Sequence, residues 1–260
     1  MIVAILQARF SSTRLPGKVL LDVYGKPMII RQIDRILESK NIDKLILATS
    51  QNSDDDELCE TVSKYRGLEI YRGDLDNVLD RFYQSVRHIK PQGIVRLTGD
   101  CPLADAEIID QVIELHIKCS NDYTSNTLPP SYPDGFDVEI FSFRALSDAW
   151  KYATLPSELE HVTSYMRKNP EKYKIGNLQS NKDYSNMRLT VDEIEDYDLI
   201  LQVYKNFTPN IFFSFKEIIA FLLNNKALLK INSMHLRNSG SYSSIVKDRK
   251  YRERIEKKYV

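Results

Sequence analysis

The sequence predicts an α/β domain: a mostly parallel mixed sheet with helices on both faces. Three observations carry that expectation. Residues 2–6, 44–49 and 93–98 are apolar runs of strand length, with the composition of strands buried on both sides. The stretches between them repeat apolar residues at three- and four-residue spacing, the pattern of amphipathic helices. The densest cluster of cations and hydroxyls follows directly on the first run, where open α/β sheets bind ligands. Strand and helix alternating in this way imply right-handed crossovers and a mostly parallel sheet.

Taken in order, the first strand stops at Gln7. The loop after it carries Arg9, Arg14 and Lys18, the hydroxyls Ser11, Ser12 and Thr13, and the pair Pro16 and Gly17. Three fixed cations with several donors suit a polyanion, and Gly17 lets the backbone approach an oxygen closely. From Pro27 a helix is expected with Met28, Ile29, Ile33, Ile36 and Leu37 inward. After the second strand, the acidic residues 53–57 read as a helix start, with Ser53 or Asp54 as the cap and Leu58, Val62 and Tyr65 inward. Residues 68–71 make a short third strand, and Arg72 opens the loop after it. A helix over 76–90 and the fourth strand follow, the latter ending at Gly99, Asp100, Cys101 and Pro102.

A helix over 105–118 continues the rhythm, which then breaks. Residues 121–134, with Pro129, Pro130 and Pro133, read as a long loop. Residues 136–143 alternate as a strand does, helices are expected over 144–152 and 157–167, and strands over 174–178 and 187–191. Helices over 196–206 and 215–224 precede a tail of mixed charge from Lys247. The division expected is a main domain over 1–206 and a helical extension over 207–260 packed on it.

Formal net charge is zero across 260 residues, so bulk electrostatics favours neither nucleic acid nor an anionic membrane as partner. Cys59, Cys101 and Cys119 lack paired metal spacing, and an odd few thiols fit a reducing cytoplasm. Neither a signal peptide nor a membrane span is evident. Gly17 and Lys18 do not make a Walker loop, because Val19 follows and no glycine lies five residues before Gly17. Asp100 and Asp192 each follow an expected strand. Two strand-end carboxylates facing three cations suit magnesium with a nucleoside triphosphate. Asp137 and Glu139, two apart on an expected strand, share a face.

Residues 8–18 fit A-R-x-x-S-x-R-x-P-x-K, which resembles the nucleotide-binding loop of the sugar-acid cytidylyltransferases, the Kdo and acylneuraminate enzymes among them. Residues 21–28 are similar to the Kdo branch, residues 98–103 to the segment whose Asp holds magnesium, and residues 190–196 to the V-D-x-x-E-D motif. Arg96, Thr98, Cys101, Pro102 and the segments 134–139, 160–163 and 237–240 look closer to the spore-coat polysaccharide type. The resemblance spans about residues 1–206 and implies a GT-A-like nucleotidyltransferase fold. It implies a cytoplasmic enzyme that uses CTP and Mg2+ to activate a sugar, such as an eight- or nine-carbon keto sugar acid, and that forms a homodimer. Leu6, Gln7 and Ala8 match the backbone that reads the base, and Arg9 and Lys18 the phosphate contacts. Ser12, Arg14, Arg72 and Thr98 complete the expected nucleotide site. Asp100 and Asp192 are the expected metal ligands, and Arg9, Lys18 and Asp100 the catalytic set. Asp137, Glu139, Glu160 and His161 are the expected sugar contacts. A sugar-1-phosphate nucleotidylyltransferase would open with a Gly-Gly loop, which Leu6, Gln7 and Ala8 lack.

Overall fold

A computed structural model of the chain describes residues 1–65, 67–237 and 241–256. The chain runs β1 (Ile2–Gln7), α1 (Met28–Ile36), β2 (Lys44–Ser50), α2 (Asp56–Ser63), β3 (Glu69–Gly73), α3 (Val78–Val86), β4 (Gly93–Thr98) and α4 (Ala106–Cys119). It continues with β5 (Tyr123–Ser125), β6 (Glu139–Ser142), α5 (Phe143–Tyr152), α6 (Pro156–Glu160), α7 (Ser164–Lys168) and β7 (Ile175–Asn177). Three helices close it: α8 (Ile194–Phe207), α9 (Phe215–Asn224) and α10 (Ser241–Glu256).

One seven-stranded sheet has the order β3-β2-β1-β4-β6-β5-β7. The β3-β2-β1-β4 half is parallel, and β6 runs antiparallel to both its neighbours. Alternation along the central strands feeds two cores. Ile2, Ala4 and Leu6 of β1 pack with α1, α4 and α8 on one face, while Val3 and Ile5 pack with α3 and α5 on the other. This is why those strands read as continuous apolar runs. Phe213, Ile218 and Leu222 join the first core, so the segment after α8 is built into it. Among the described residues no helix is long and apolar enough to cross a membrane.

Six sequence expectations change. Residues 121–134 contain β5, whose three residues are all buried between β6 and β7. The strand expected over 136–143 shortens to β6, because Asn126 takes over the backbone of residues 136–138 by donating to Phe136 O and accepting from Val138 N. Residues 187–191 join no strand: Leu189 N donates to Asp134 O at 2.6 Å and Val191 N to Asp100 O at 2.8 Å. The helix over 157–167 breaks into α6 and α7 around His161. The helix-start residues Ser53 and Asp54 make no cap. Asp55 instead turns inward, and Leu37 of the first helix lies in solvent.

Candidate active site

The ends of β1 and β4 lie side by side, and Gly99 makes that approach possible. Gly99 N donates to Gln7 O at 2.8 Å, and a Cβ there would meet the Ala8 Cβ at 2.6 Å. The loop leaving β1 folds back on itself, with Ser12 N and Gly17 N both donating to Phe10 O. Gly17 has φ of 70°, a conformation that only glycine adopts readily. Asp55 anchors the loop from the neighbouring strand, accepting from Phe10 N at 2.6 Å and from Ser50 N at 2.9 Å. Burial raises the Asp55 carboxyl, and these hydrogen bonds outweigh it and leave the group below its usual range. Asp55 therefore holds this loop in place, a role hidden within an acidic stretch that reads as a helix start.

Lys18 begins a short 3-10 turn and is buried. Its Nζ donates to Val191 O at 2.7 Å and to Asp192 Oδ1 at 2.8 Å, and lies 3.5 Å from Asp100 Oδ2. Burial lowers the affinity of this amine for its proton, and the two carboxylates reverse that, holding the ammonium above its ordinary range. Asp100 also accepts from Thr98 Oγ1 at 2.6 Å. Burial would raise the Asp100 carboxyl; Lys18 and then Thr98 bring it below its usual value. Asp192 lies 2.9 Å from Arg14 and 3.1 Å from Arg188. Its position is set by Asp196, which is fully buried at the start of α8 and accepts from Asp192 N and Glu193 N. Arg188 and Asn232 lock Asp196 in turn. Sequence reading missed Arg188 and Asp196 as site residues, although Asp196 closes the quoted V-D-x-x-E-D motif.

A cleft of about 300 Å³ opens over these groups. Gln7 lines it from the end of β1, Ala8, Arg9, Ser12, Arg14 and Lys18 from the loop that follows, Thr98 and Asp100 from the end of β4 and just beyond it, and Asp192 from before α8. Glu160 and His161 form a further wall, which α10 backs: His161 Nε2 and Ser244 Oγ are 2.8 Å apart, and Lys247 lies 3.0 Å from Glu160.

Several expected residues stand elsewhere. The Leu6 side chain is fully buried in the sheet core, which leaves only its backbone for the expected contact. Arg72 points away from the cleft, donating to Ser50 O at 2.9 Å and to Asn52 O at 2.7 Å, and pairs with Asp56 at 2.6 Å. Asp137 pairs with Arg237 at 2.6 Å outside the lining, and burial raises its carboxyl to about 7 despite that arginine. Glu139 lies behind Arg96, which itself lines the cleft. Asn238, Ser239 and Gly240, from the last quoted segment, lie outside the described residues.

Residues 3–233 match the family model described as cytidylyltransferase. The spore coat polysaccharide biosynthesis protein SpsF of Bacillus subtilis is 35% identical over 231 residues, 86% of this chain and 95% of its own. A 3-deoxy-manno-octulosonate cytidylyltransferase of Geobacter sulfurreducens is 35% identical over 113 residues, 43% of this chain and 44% of its own. Among solved structures, a cytidylyltransferase from Leptospira borgpetersenii superposes with a TM-score of 0.84 at 30% identity, covering 88% of this chain and 96% of that one.

Proposed function

This chain belongs to the cytidylyltransferase family, and on that premise we propose that it is a magnesium-dependent enzyme that joins CTP to a sugar acid for a surface polysaccharide. The acceptor hydroxyl oxygen forms a bond to the α-phosphorus of CTP, the bond to pyrophosphate breaks, and the hydroxyl proton passes to solvent water. The products are a CMP-sugar and pyrophosphate. The single observation that supports this most is the placement of Lys18 Nζ against both Asp192 and Asp100, where three chain segments meet.

In this reading Arg9, Arg14 and Lys18 hold the triphosphate and counter the charge that builds on pyrophosphate as it leaves. Gln7 and Ala8 present the end of β1 to the base, Ser12 supplies a neutral donor in the cleft, and Thr98, whose proton goes to Asp100, offers its oxygen as an acceptor. Asp100 and Asp192 would hold the metal: their donors are oxygens only, as a hard cation prefers, and both already face a shared cation, Lys18. A divalent ion there supplies Lewis-acid stabilisation of phosphate oxygens. Among the described residues no group of three His, Cys, Asp or Glu side chains is arranged to bind metal, so a metal held by Asp100 and Asp192 would need ligands from outside the protein.

Residues 207–260 serve as an extension that stabilises the 1–206 domain and, through α10, backs the Glu160 and His161 wall. A second copy of the chain is proposed as partner on the family resemblance alone. Light scattering at micromolar concentration should give twice the chain mass; a monomer rejects the dimer. The free thiols Cys59, Cys101 and Cys119 support a cytoplasmic setting.

The test of the reaction is pyrophosphate release over a matrix of CTP, UTP, ATP and GTP against acidic and neutral sugars with magnesium. CTP should be the productive nucleotide. Equal or faster release with UTP or a purine nucleotide overturns the nucleotide assignment.

A further inference from the structure

Of the four side chains that sequence reading assigned to the sugar, three are carboxylates: Asp137, Glu139 and Glu160. They are poor partners for an acceptor that is itself an acid. The cleft resolves this with a residue that none of those assignments includes. We propose that Arg96 reads the acidic group of the acceptor, and so is the residue that makes this enzyme select an anionic sugar; the inference rests on the cytidylyltransferase reading above.

Arg96 lies on β4, two residues before Thr98 and four before Asp100, and faces the same cleft as both. Its register neighbours are Ile5 of β1 and Glu139 of β6. It therefore stands between β1 and β6, one turn of the pleat back along β4 from Thr98. Its guanidinium is aimed by the protein on two of its three nitrogens. Nη1 pairs with Glu139, and Nε donates to Gln7 Oε1 at 3.3 Å. Among the described residues Nη2 has no hydrogen-bond partner, and the side chain keeps 15% of its surface open.

Glu139 is buried and accepts from Tyr123 OH at 2.6 Å and Thr163 Oγ1 at 2.7 Å besides pairing with Arg96. Burying such a pair gives little net stability, because desolvation offsets the attraction. What it provides is direction: the fork is held with its remaining donors toward the cleft, the geometry that binds a carboxylate or phosphate. The surrounding wall leaves that cation effective. Glu160 is matched by Lys247. Burial lowers the His161 pKa, with Glu160 and Glu139 raising it and Arg96 and Arg167 lowering it.

The experiment compares CTP-dependent pyrophosphate release with 3-deoxy-manno-octulosonate, its uncharged methyl ester, a phosphorylated sugar and that sugar without phosphate. Wild type should prefer one acid over its neutral counterpart by 100-fold or more in kcat/KM. The productive member shows whether carboxylate or phosphate is read. Because Arg96→Gln strands Glu139 in the core, the decisive variant is Arg96→Gln/Glu139→Gln, with Arg96→Lys beside it. The double variant should bind CTP within twofold of wild type while KM for the acid rises at least 50-fold and the preference over the neutral sugar collapses. Arg96→Lys keeps the charge and loses the fork, and should fall between. An undiminished acid preference in the double variant overturns the inference, as does a wild type that turns over only neutral sugars. Either result leaves the cytidylyltransferase reading standing. If CTP binds but no probe turns over, thermal-shift titration of the CTP-bound protein with the same acids decides. Stabilisation lost with Arg96 supports the proposal, and its absence overturns it. Failure of CTP itself to bind removes the parent reading and this inference with it.

Discussion

Lys18→Met tests the core of the site, and the structure changes what it should do. A lysine in a solvated loop would contribute little to stability. Lys18 instead is buried, with its ammonium against Val191 O, Asp192 and Asp100. Methionine keeps the aliphatic stem and removes the charge. Asp192 retains Arg14 and Arg188 at 2.9 and 3.1 Å, so the damage falls on Asp100, for which Lys18 is the only ion-pair partner among the described residues. Removing one member of a partly buried charge cluster costs about 3 kcal/mol, between the value of a charged hydrogen bond and that of a fully buried pair. For a chain of this size that is a fall in melting temperature of roughly 6–12 °C. Losing a cation that counters leaving pyrophosphate removes roughly 2–4 kcal/mol of transition-state stabilisation, so kcat/KM should drop ~10²-fold or more. Calorimetric melting and pyrophosphate release read the two effects separately. Magnesium chloride without nucleotide should restore part of the lost melting temperature in the variant and little in wild type, because it replaces a missing cation between two carboxylates. Activity within threefold of wild type would refute the triphosphate assignment. A melting temperature within 1 °C would refute the argument from burial.

Asp100→Asn and Asp192→Asn should each remove most of the metal-dependent rate and raise the magnesium concentration needed, while the double variant should lose little more than either single, since ligands of one ion act as a unit. Unchanged rate and magnesium demand in Asp192→Asn would make that carboxylate structural. His116 is buried beside Thr124 Oγ1, and burial lowers its pKa from 6.5 to about 4. The unfolded chain therefore takes up the proton first, and the contribution of His116 to stability is complete above pH 6.5 and lost as pH falls toward 4. In urea unfolding, the stability difference between wild type and His116→Gln should shrink by about 3 kcal/mol between pH 7 and pH 4. A difference independent of pH refutes it.

The sheet half that carries the site was legible because its strands are buried on both faces, which forces a run such as residues 2–6 or 93–98 to be apolar regardless of what surrounds it. β5 was not, since Tyr123, Thr124 and Ser125 are polar at their tips. Their burial depends on partners chosen by the tertiary fold: Glu139 for Tyr123, and His116 and Asn121 for Thr124. The same divide runs through the site. The motif at residues 8–18 marked the loop whose cations line the cleft, and the strand-end positions of Asp100 and Asp192 marked carboxylates near it.

What no local pattern could announce is where each long polar side chain goes once several partners compete for it. Arg72 and Arg96 are both arginines on parallel strands of one sheet, yet Arg72 is drawn to carbonyls and Asp56 on its own side while Arg96 is held toward the cleft by Glu139. Lys18 meets Val191 across 173 residues of chain, and nothing at either position records the encounter. Periods of two and 3.6 residues report which face of an element is buried. They are silent on ion pairs, whose geometry is fixed only when strands far apart in sequence are brought into register. Positioning residues such as Asp55, Arg188 and Asp196 belong to that second class: each resembles a solvated charge in sequence, and each is buried in the fold. A buried charge is tolerated only where other groups satisfy it, so the three mark the places where the chain spends hydrogen bonds to hold the cleft in shape. Asp55 fixes the loop that carries the cations, while Arg188 and Asp196 fix the carboxylate opposite it.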